Sequence, residues 1–212
     1  LNFSPHYGDG VWLAEPRWSS SEAGPLPLAP GELLTSGQTD IHLIAPYPGL
    51  PRLWFIRTEA DLCATLQAKG QPIRYGYVNE SYPLTAYQTL FAKVPGSAEM
   101  PSAGRPFSRR VVQTLRRRGV KVAGITLHTG VSSLEVETEQ VEAHPMYAEP
   151  FHVPVATARL VNATHQAGHR VIAVGTTVVR ALESAWDGDQ VQPARGFTRL
   201  YVHPERGVHV VD

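Results

Sequence analysis

Five turn signals cut the first fifty residues of this chain: Tyr7-Gly8-Asp9-Gly10, Gly24-Pro25, Pro30-Gly31, Ser36-Gly37 and Pro48-Gly49. Turns this closely spaced leave room for short strands and suit a small barrel or sandwich. The strand candidates lie around Phe3, Val11 to Ala14, Leu33 to Leu34, Ile41 to Ile44 and Leu53 to Ile56. One short helix is predicted at Asp61 to Lys69, where Leu62 and Leu66 are four apart and Gly70 marks the stop. Gly and Pro number 18 each, an excess without collagen periodicity, so the turns are local punctuation rather than low complexity.

From about Tyr82 the pattern lengthens. Ser108 reads as the N-cap of a helix whose Val111, Val112 and Leu115 share a face, with Gly119 at the C′ position. A strand-like run from Val120 to Leu127 follows and ends in His128-Thr129-Gly130. The same grammar returns later. A helix over Val155 to Gln166 stops at Gly168, a strand over Arg170 to Val174 ends in Gly175-Thr176-Thr177, and a helix follows over Val178 to Trp186. Two such units predict neighbouring parallel strands covered by helices, with the ligand crevice beyond the carboxyl ends of the strands. The expectation is an α/β or α+β chain. A small β-barrel-like domain would occupy residues 1–78, and an α/β catalytic domain with a partly parallel sheet residues 79–212, incomplete at its C-terminal end.

Composition narrows the classes. The 212 residues give a prior of one to two domains, and 42% hydrophobic against 18% charged residues supports a sizeable core. Nineteen basic and nineteen acidic residues exclude a uniformly basic nucleic-acid binder but leave room for a local basic face. The single cysteine, Cys63, excludes an intrachain disulfide and a cysteine-based zinc site. No apolar run approaches the roughly 20 residues of a bilayer span, and no signal peptide opens the chain, so a cytoplasmic protein is expected.

Five stretches carry candidate chemistry. Gly175-Thr176-Thr177 between strand and helix offers N–H groups and hydroxyls that can hold a phosphate, carboxylate or ribose hydroxyl, although a tight turn with a threonine cap looks the same. Arg180, one turn on, can close on an anion or pair with Glu183 at i,i+3. His128, at the end of a buried strand, is suited to proton transfer or to a structural hydrogen bond. His144, Met146, Tyr147 and Glu149 lie in a Pro-rich stretch that holds an imidazole and a carboxylate but no metal-ligand spacing. The loop from Gly96 to Gly104 is rich in small residues, allowing close backbone approach to a ligand. Beyond it, Arg105, Arg109, Arg110, Arg116, Arg117, Arg118 and Lys121 run without an acidic residue among them. That is the footprint of phosphate contacts or of a solvated helix face.

Taken together, YPLTAYQTLFAKVPGSAEMPSAGRPFS, GVKVAGITLHTG, AHPMYAEPF and GHRVIAVGTTVVRALE, with the opening FSPHYGDGVWLAEPR, resemble the S-adenosylmethionine:tRNA ribosyltransferase-isomerase family of queuosine biosynthesis. The resemblance implies transfer of the ribosyl part of S-adenosylmethionine to 7-aminomethyl-7-deazaguanine at the tRNA wobble position. Epoxyqueuosine would form, adenine and methionine would leave, and no metal, prosthetic group or membrane is implied. It implies catalytic roles for His128, His144 and Glu149. Binding roles are implied for Tyr87, Gln88, Ser102, Gly104, Thr126, Gly130, Met146, Gly175, Thr176, Thr177 and Arg180, and the basic run from Arg105 to Lys121 would meet tRNA.

The chain departs from the family pattern at several positions. Arg105-Pro106 replaces Leu-His in the PTAGLHF loop, Tyr147 replaces the second histidine of HxMHxE, and Val131 to Leu134 replaces GAGTF. Glu99 is an added carboxylate. A tyrosine with a pKa of about 10 is a poor base at neutral pH, so the loss of two imidazoles implies rearranged proton transfers or a changed substrate. The alternatives are an S-adenosylmethionine enzyme with a non-tRNA acceptor and a non-catalytic RNA- or nucleotide-binding relative.

Overall fold

A computed structural model describes residues 2–18, 25–37, 39–73, 80–130, 139–140 and 146–212. The chain divides into two compact units: Leu1–Gln88 with Pro95–Glu99 and Thr129–Ser132, and Thr89–Val94 with Met100–His128 and Ser133–Asp212.

The first unit holds all five expected strands: β1 (Asn2–Gly8), β2 (Val11–Glu15), β3 (Leu33–Ser36), β4 (Thr39–Tyr47) and β5 (Leu50–Arg57). They form one antiparallel sheet in the order β1-β2-β5-β4-β3. Among the described strands β1 and β3 are its two edges, and no pairing between them closes a barrel. The β1–β2 turn needs its glycines: Gly10 has φ +70° and lies so close to β5 that an added Cβ would meet the Thr58 carbonyl oxygen at 2.7 Å. Alternation along β4 buries Ile41, Leu43 and Tyr47, and Trp12, Ala14, Trp54 and Ile56 complete a core with Leu62. Leu62 opens helix α1 (Leu62–Lys69), capped by Asp61, whose carboxylate accepts from the Ala64 N–H at 3.0 Å. Cys63 packs against the same core, and burial, reinforced by Asp61, pushes its thiol pKa up.

In the second unit, helix α2 (Arg109–Arg117) starts where Ser108 accepts from the Val111 N–H at 3.2 Å, and Gly119 follows its end with φ +84°. Its apolar face is narrower than the sequence suggests. Val112 is buried and Leu115 half-buried, whereas Val111, about 100° round the helix from Val112, is exposed. Helices α3 (Val155–Gln166) and α4 (Thr176–Ser184) cover a sheet of β6 (Thr126–Leu127), β7 (Glu149–Val153) and β8 (Ala194–Thr198). Phe151, Val153, Ala158, Val161, Ala181, Leu182, Val191 and Val210 form the core.

The mixed α/β class holds, but the partly parallel sheet does not. Every described strand pair in this sheet is antiparallel, only Thr126 and Leu127 of the run from Val120 pair as strand, and Val171 to Val174 joins no sheet. The physical reason is that β-branched residues favour an extended backbone, while a strand also needs a partner for its N–H and C=O groups. In these two segments other groups serve. The Thr157 hydroxyl donates to the Gly124 carbonyl at 2.7 Å, the Asp212 N–H donates to Val171 O at 3.0 Å, and the Asp212 carboxylate accepts from Val171 N at 2.8 Å. Among the described residues no helix is long and apolar enough to cross a membrane.

Candidate functional site

The second unit holds three groups of the candidate residues. Pairing of β6 with β7 sets Leu127 opposite Phe151, and the His128 N–H then donates to the Pro150 carbonyl at 2.9 Å. His128 thereby leaves the sheet beside Glu149, the first residue of β7. Burial lowers the His128 imidazole below the ordinary histidine value of 6.5, since charging it costs hydration that the half-buried position does not replace. At neutral pH the ring is therefore a neutral proton acceptor.

Glu149 is 6% exposed, and its carboxylate pairs with Arg180 Nη1 of α4. Arg180 is held a second time, Nε donating to the Leu200 carbonyl at 3.0 Å, while Nη2 is buried and has no hydrogen-bond partner among the described residues. The i,i+3 pair of Arg180 with Glu183 does not form. Glu183 instead accepts from Arg206, His209 N and Val210 N. Arg180 thus enters the site as half of a neutral pair with one guanidinium nitrogen to spare, not as a free cation.

The third group is the glycine turn. Gly175 caps α4 with φ +107° and ψ 142°, and its carbonyl accepts from Val178 N at 3.0 Å. No side chain caps this helix end, so the N–H groups of Thr176 and Thr177 start a positive terminus with two hydroxyls beside it. A Cβ at Gly175 would lie 3.5 Å from Ala103 Cβ, which places the Ser102–Gly104 turn against it. That turn is fixed from behind. Gly104 is buried with room for no Cβ, because Phe91 Cδ2 would be 2.7 Å away, and Phe91 meets Phe107 edge-on at 5.9 Å.

Other candidates fall elsewhere. Thr126 is in β6, paired with His152, and Met146 and Tyr147 are half-buried just before β7. Tyr87, Gln88 and Gly130 belong to the first unit. His144 lies outside the described residues, as do Val131 to Leu134. Arg105, Arg109, Arg110, Arg116, Arg117, Arg118 and Lys121 are all exposed. Sequence reasoning missed the Glu149–Arg180 pair and the Leu200 carbonyl, because partners 31 and 20 residues away leave no periodic signal. Among the described residues no three His, Cys, Asp or Glu side chains gather as a metal site would require.

With this geometry in place, comparison with known proteins is decisive about kinship. Residues 24–212 match the family described as queuosine biosynthesis protein. The chain belongs to that family. A relative from Thermus thermophilus, named S-adenosylmethionine:tRNA ribosyltransferase-isomerase, is 38% identical over 179 residues, covering 80% of this chain and 52% of the relative. Relatives of the same name from Carboxydothermus hydrogenoformans and Francisella tularensis subsp. novicida are 43% and 39% identical over 127 and 135 residues. These matches cover 59% and 63% of this chain, and 38% and 40% of the relatives. This member of the queuosine family spans about half the length of the curated relatives it matches. A solved S-adenosylmethionine tRNA ribosyltransferase from Thermotoga maritima overlays with a TM-score of 0.41 at 18% identity, over 99% of this chain and 56% of that one. At that level the likeness is too loose to carry residues across.

Proposed function

We propose that this chain acts as an S-adenosylmethionine:tRNA ribosyltransferase-isomerase, moving the ribosyl part of S-adenosylmethionine to 7-aminomethyl-7-deazaguanine in tRNA and forming epoxyqueuosine. The observation that carries this reading is the 38% identity over 179 residues to a protein of that name. The chemistry of the site agrees with it. The sulfonium acidifies the adjacent ribose C5′–H, so a neutral imidazole such as His128 can take that proton and leave the electron pair as an ylide. The electron pair forms a C4′=C5′ double bond as the C4′–O4′ bond breaks. O4′ becomes a C1′ carbonyl oxygen as the C1′–N9 bond breaks, and adenine leaves with the proton that the imidazole took up. Arg180, aligned by Glu149, and the Gly175–Thr177 turn are assigned to the anionic or hydroxyl-bearing end of the co-substrate. The sulfonium supplies the activation, so no step calls for a metal or a prosthetic group. The same reading places the protein in the cytoplasm with its tRNA.

The test is incubation of the full chain with S-adenosylmethionine and tRNA carrying the aminomethyl-deazaguanine, followed by mass spectrometry of free adenine and of the digested nucleosides. Adenine release matched by the epoxyqueuosine mass is the expected result. Intact S-adenosylmethionine and an unchanged nucleoside would overturn the reading. Adenine release without a change in the nucleoside would point to another acceptor.

A further inference from the structure

The first turn of helix α2 is charged against the helix dipole. Arg109 and Arg110 occupy its first two positions, where the helix dipole is positive and a cation is disfavoured, and its first turn has no acidic residue to compensate. Arg116 and Arg117 end the same helix. At 3.6 residues per turn, positions seven apart differ by only about 20°, so Arg109 lies in line with Arg116 and Arg110 with Arg117. These two rows are about 100° apart, with Gln113 between them, and about 10 Å long. All four are exposed, the Arg110 and Arg117 row pointing away from buried Val112 and the Arg109 and Arg116 row bordering it. Among the described residues none of the four arginines forms an ion pair. Arg116 and Arg117 suit the negative end of the helix, but Arg109 and Arg110 oppose its positive end, so helix stability does not account for the paired rows.

We propose that this four-arginine face of α2 is a docking surface for the phosphate backbone of RNA, engaging it independently of base sequence. Continuity of the chain supports the choice of partner. Ser102–Gly104, the turn packed against Gly175, runs through Arg105, Pro106 and Phe107 directly into the Ser108 cap. The positive end of α2 therefore begins four residues after the candidate site, and one RNA can reach both. The assignment rests on the reading of the chain as an enzyme acting on RNA, and the backbone contacts would supply affinity and register while the pocket reads the base.

The experiment measures binding of an unmodified tRNA transcript, and of an RNA hairpin of unrelated sequence, by fluorescence anisotropy between 50 and 200 mM salt. The full chain is compared with the quadruple variant Arg109→Gln, Arg110→Gln, Arg116→Gln, Arg117→Gln. A control variant removes equal charge elsewhere: Arg159→Gln, Arg170→Gln, Arg195→Gln, Arg199→Gln. The wild-type chain is expected to bind both RNAs with a linear log–log salt dependence. At roughly 0.7 to 0.9 per phosphate contact, the α2 variant should lose a slope of about 3 to 4 and the control less than about 0.5. If the quadruple variant does not fold by circular dichroism, the two double variants, 109/110 and 116/117, should each lose about half of that slope. An unchanged slope in the α2 variant, an equal loss in the control, or binding to anionic lipid vesicles but not to RNA would overturn the proposal. Adenine release is read separately. Turnover with an unchanged salt slope sinks the surface alone, and a lost slope without turnover sinks only the catalytic reading.

Discussion

His128 is a histidine whose burial favours the neutral form, and this has a consequence for stability as well as for catalysis. Its folded-state pKa lies below the ordinary 6.5 of the unfolded chain, so as pH falls through 6.5 the unfolded state binds protons that the folded state refuses. Stability is therefore fully present above about 6.5 and declines as pH drops below it. His128→Asn should flatten that decline in urea unfolding measured from pH 7.5 to 5, and an unchanged slope would show that the ring is not the group responsible. For catalysis, His128→Ala should lower turnover by about two or more orders of magnitude with the fold intact. A loss under threefold would remove His128 as the base. The Glu149–Arg180 pair gives a test of another kind. With Glu149 6% exposed, Arg180→Met leaves a carboxylate buried without its counter-charge and should cost about 3 kcal/mol in denaturant unfolding. The double variant Glu149→Leu, Arg180→Met should cost less than that single change. A double-variant loss equal to the sum of the losses of Arg180→Met and Glu149→Leu would mean that the two side chains do not depend on each other.

At the scale of elements, what could be read in the sequence was what is decided locally. The five strands of the first unit follow from glycine turns a few residues apart, and α2 and α3 follow from a serine cap and from glycines at their ends. Strand pairing in the second unit could not be read this way. The run from Val120 and the run from Arg170 look alike in sequence, yet Thr126 and Leu127 pair with β7 while Val171 is tied to Asp212. Arg180 shows the same limit in the site: the local partner, Glu183, was visible three residues on, and the actual partner comes from another strand. The glycine turn before α4 was legible and can be tested. Gly175 has φ +107° and ψ 142°, a region nearly confined to glycine, although a Cβ would meet nothing closer than 3.5 Å. Gly175→Ala and Gly175→Asn should thus both cost about 1–3 kcal/mol through backbone strain alone. Gly168, with φ +68° after α3, is in the left-handed region that Asn tolerates, so Gly168→Asn should cost well under 1 kcal/mol. A Gly175→Asn variant as stable as Gly168→Asn in thermal unfolding would contradict the backbone argument.

At the scale of the whole second unit, one carboxylate ties the last residues of the chain to the helix that carries the site. Glu183 is on α4, one turn beyond Arg180, and its side chain is fully buried. It accepts from the His209 and Val210 N–H groups at 2.7 Å each and from Arg206 at 3.1 Å. Val210 then fills the core, its carbonyl oxygen lies 2.9 Å from His165 Nε2 of α3, and His209 stacks on Trp186. Two backbone donors and a guanidinium fix the carboxylate, and through it the helix axis along which Arg180 and the Thr176–Thr177 turn are displayed. Glu183→Ala would leave the His209 and Val210 N–H groups without this acceptor, whereas Arg206 keeps the Gly207 carbonyl, and should cost about 2–4 kcal/mol. Arg206→Ala removes only a partly exposed partner and should cost about 1 kcal/mol or less. The loss in Glu183→Ala should also be local before it is global. Limited proteolysis should cut within residues 203–212 at protease levels that leave the wild-type chain whole, while Arg206→Ala resists nearly as long as wild type. If Glu183→Ala keeps wild-type resistance there and loses under 1 kcal/mol in urea unfolding, the segment is held by the apolar contacts of Val210 and Trp186, and α4 does not depend on this anchor.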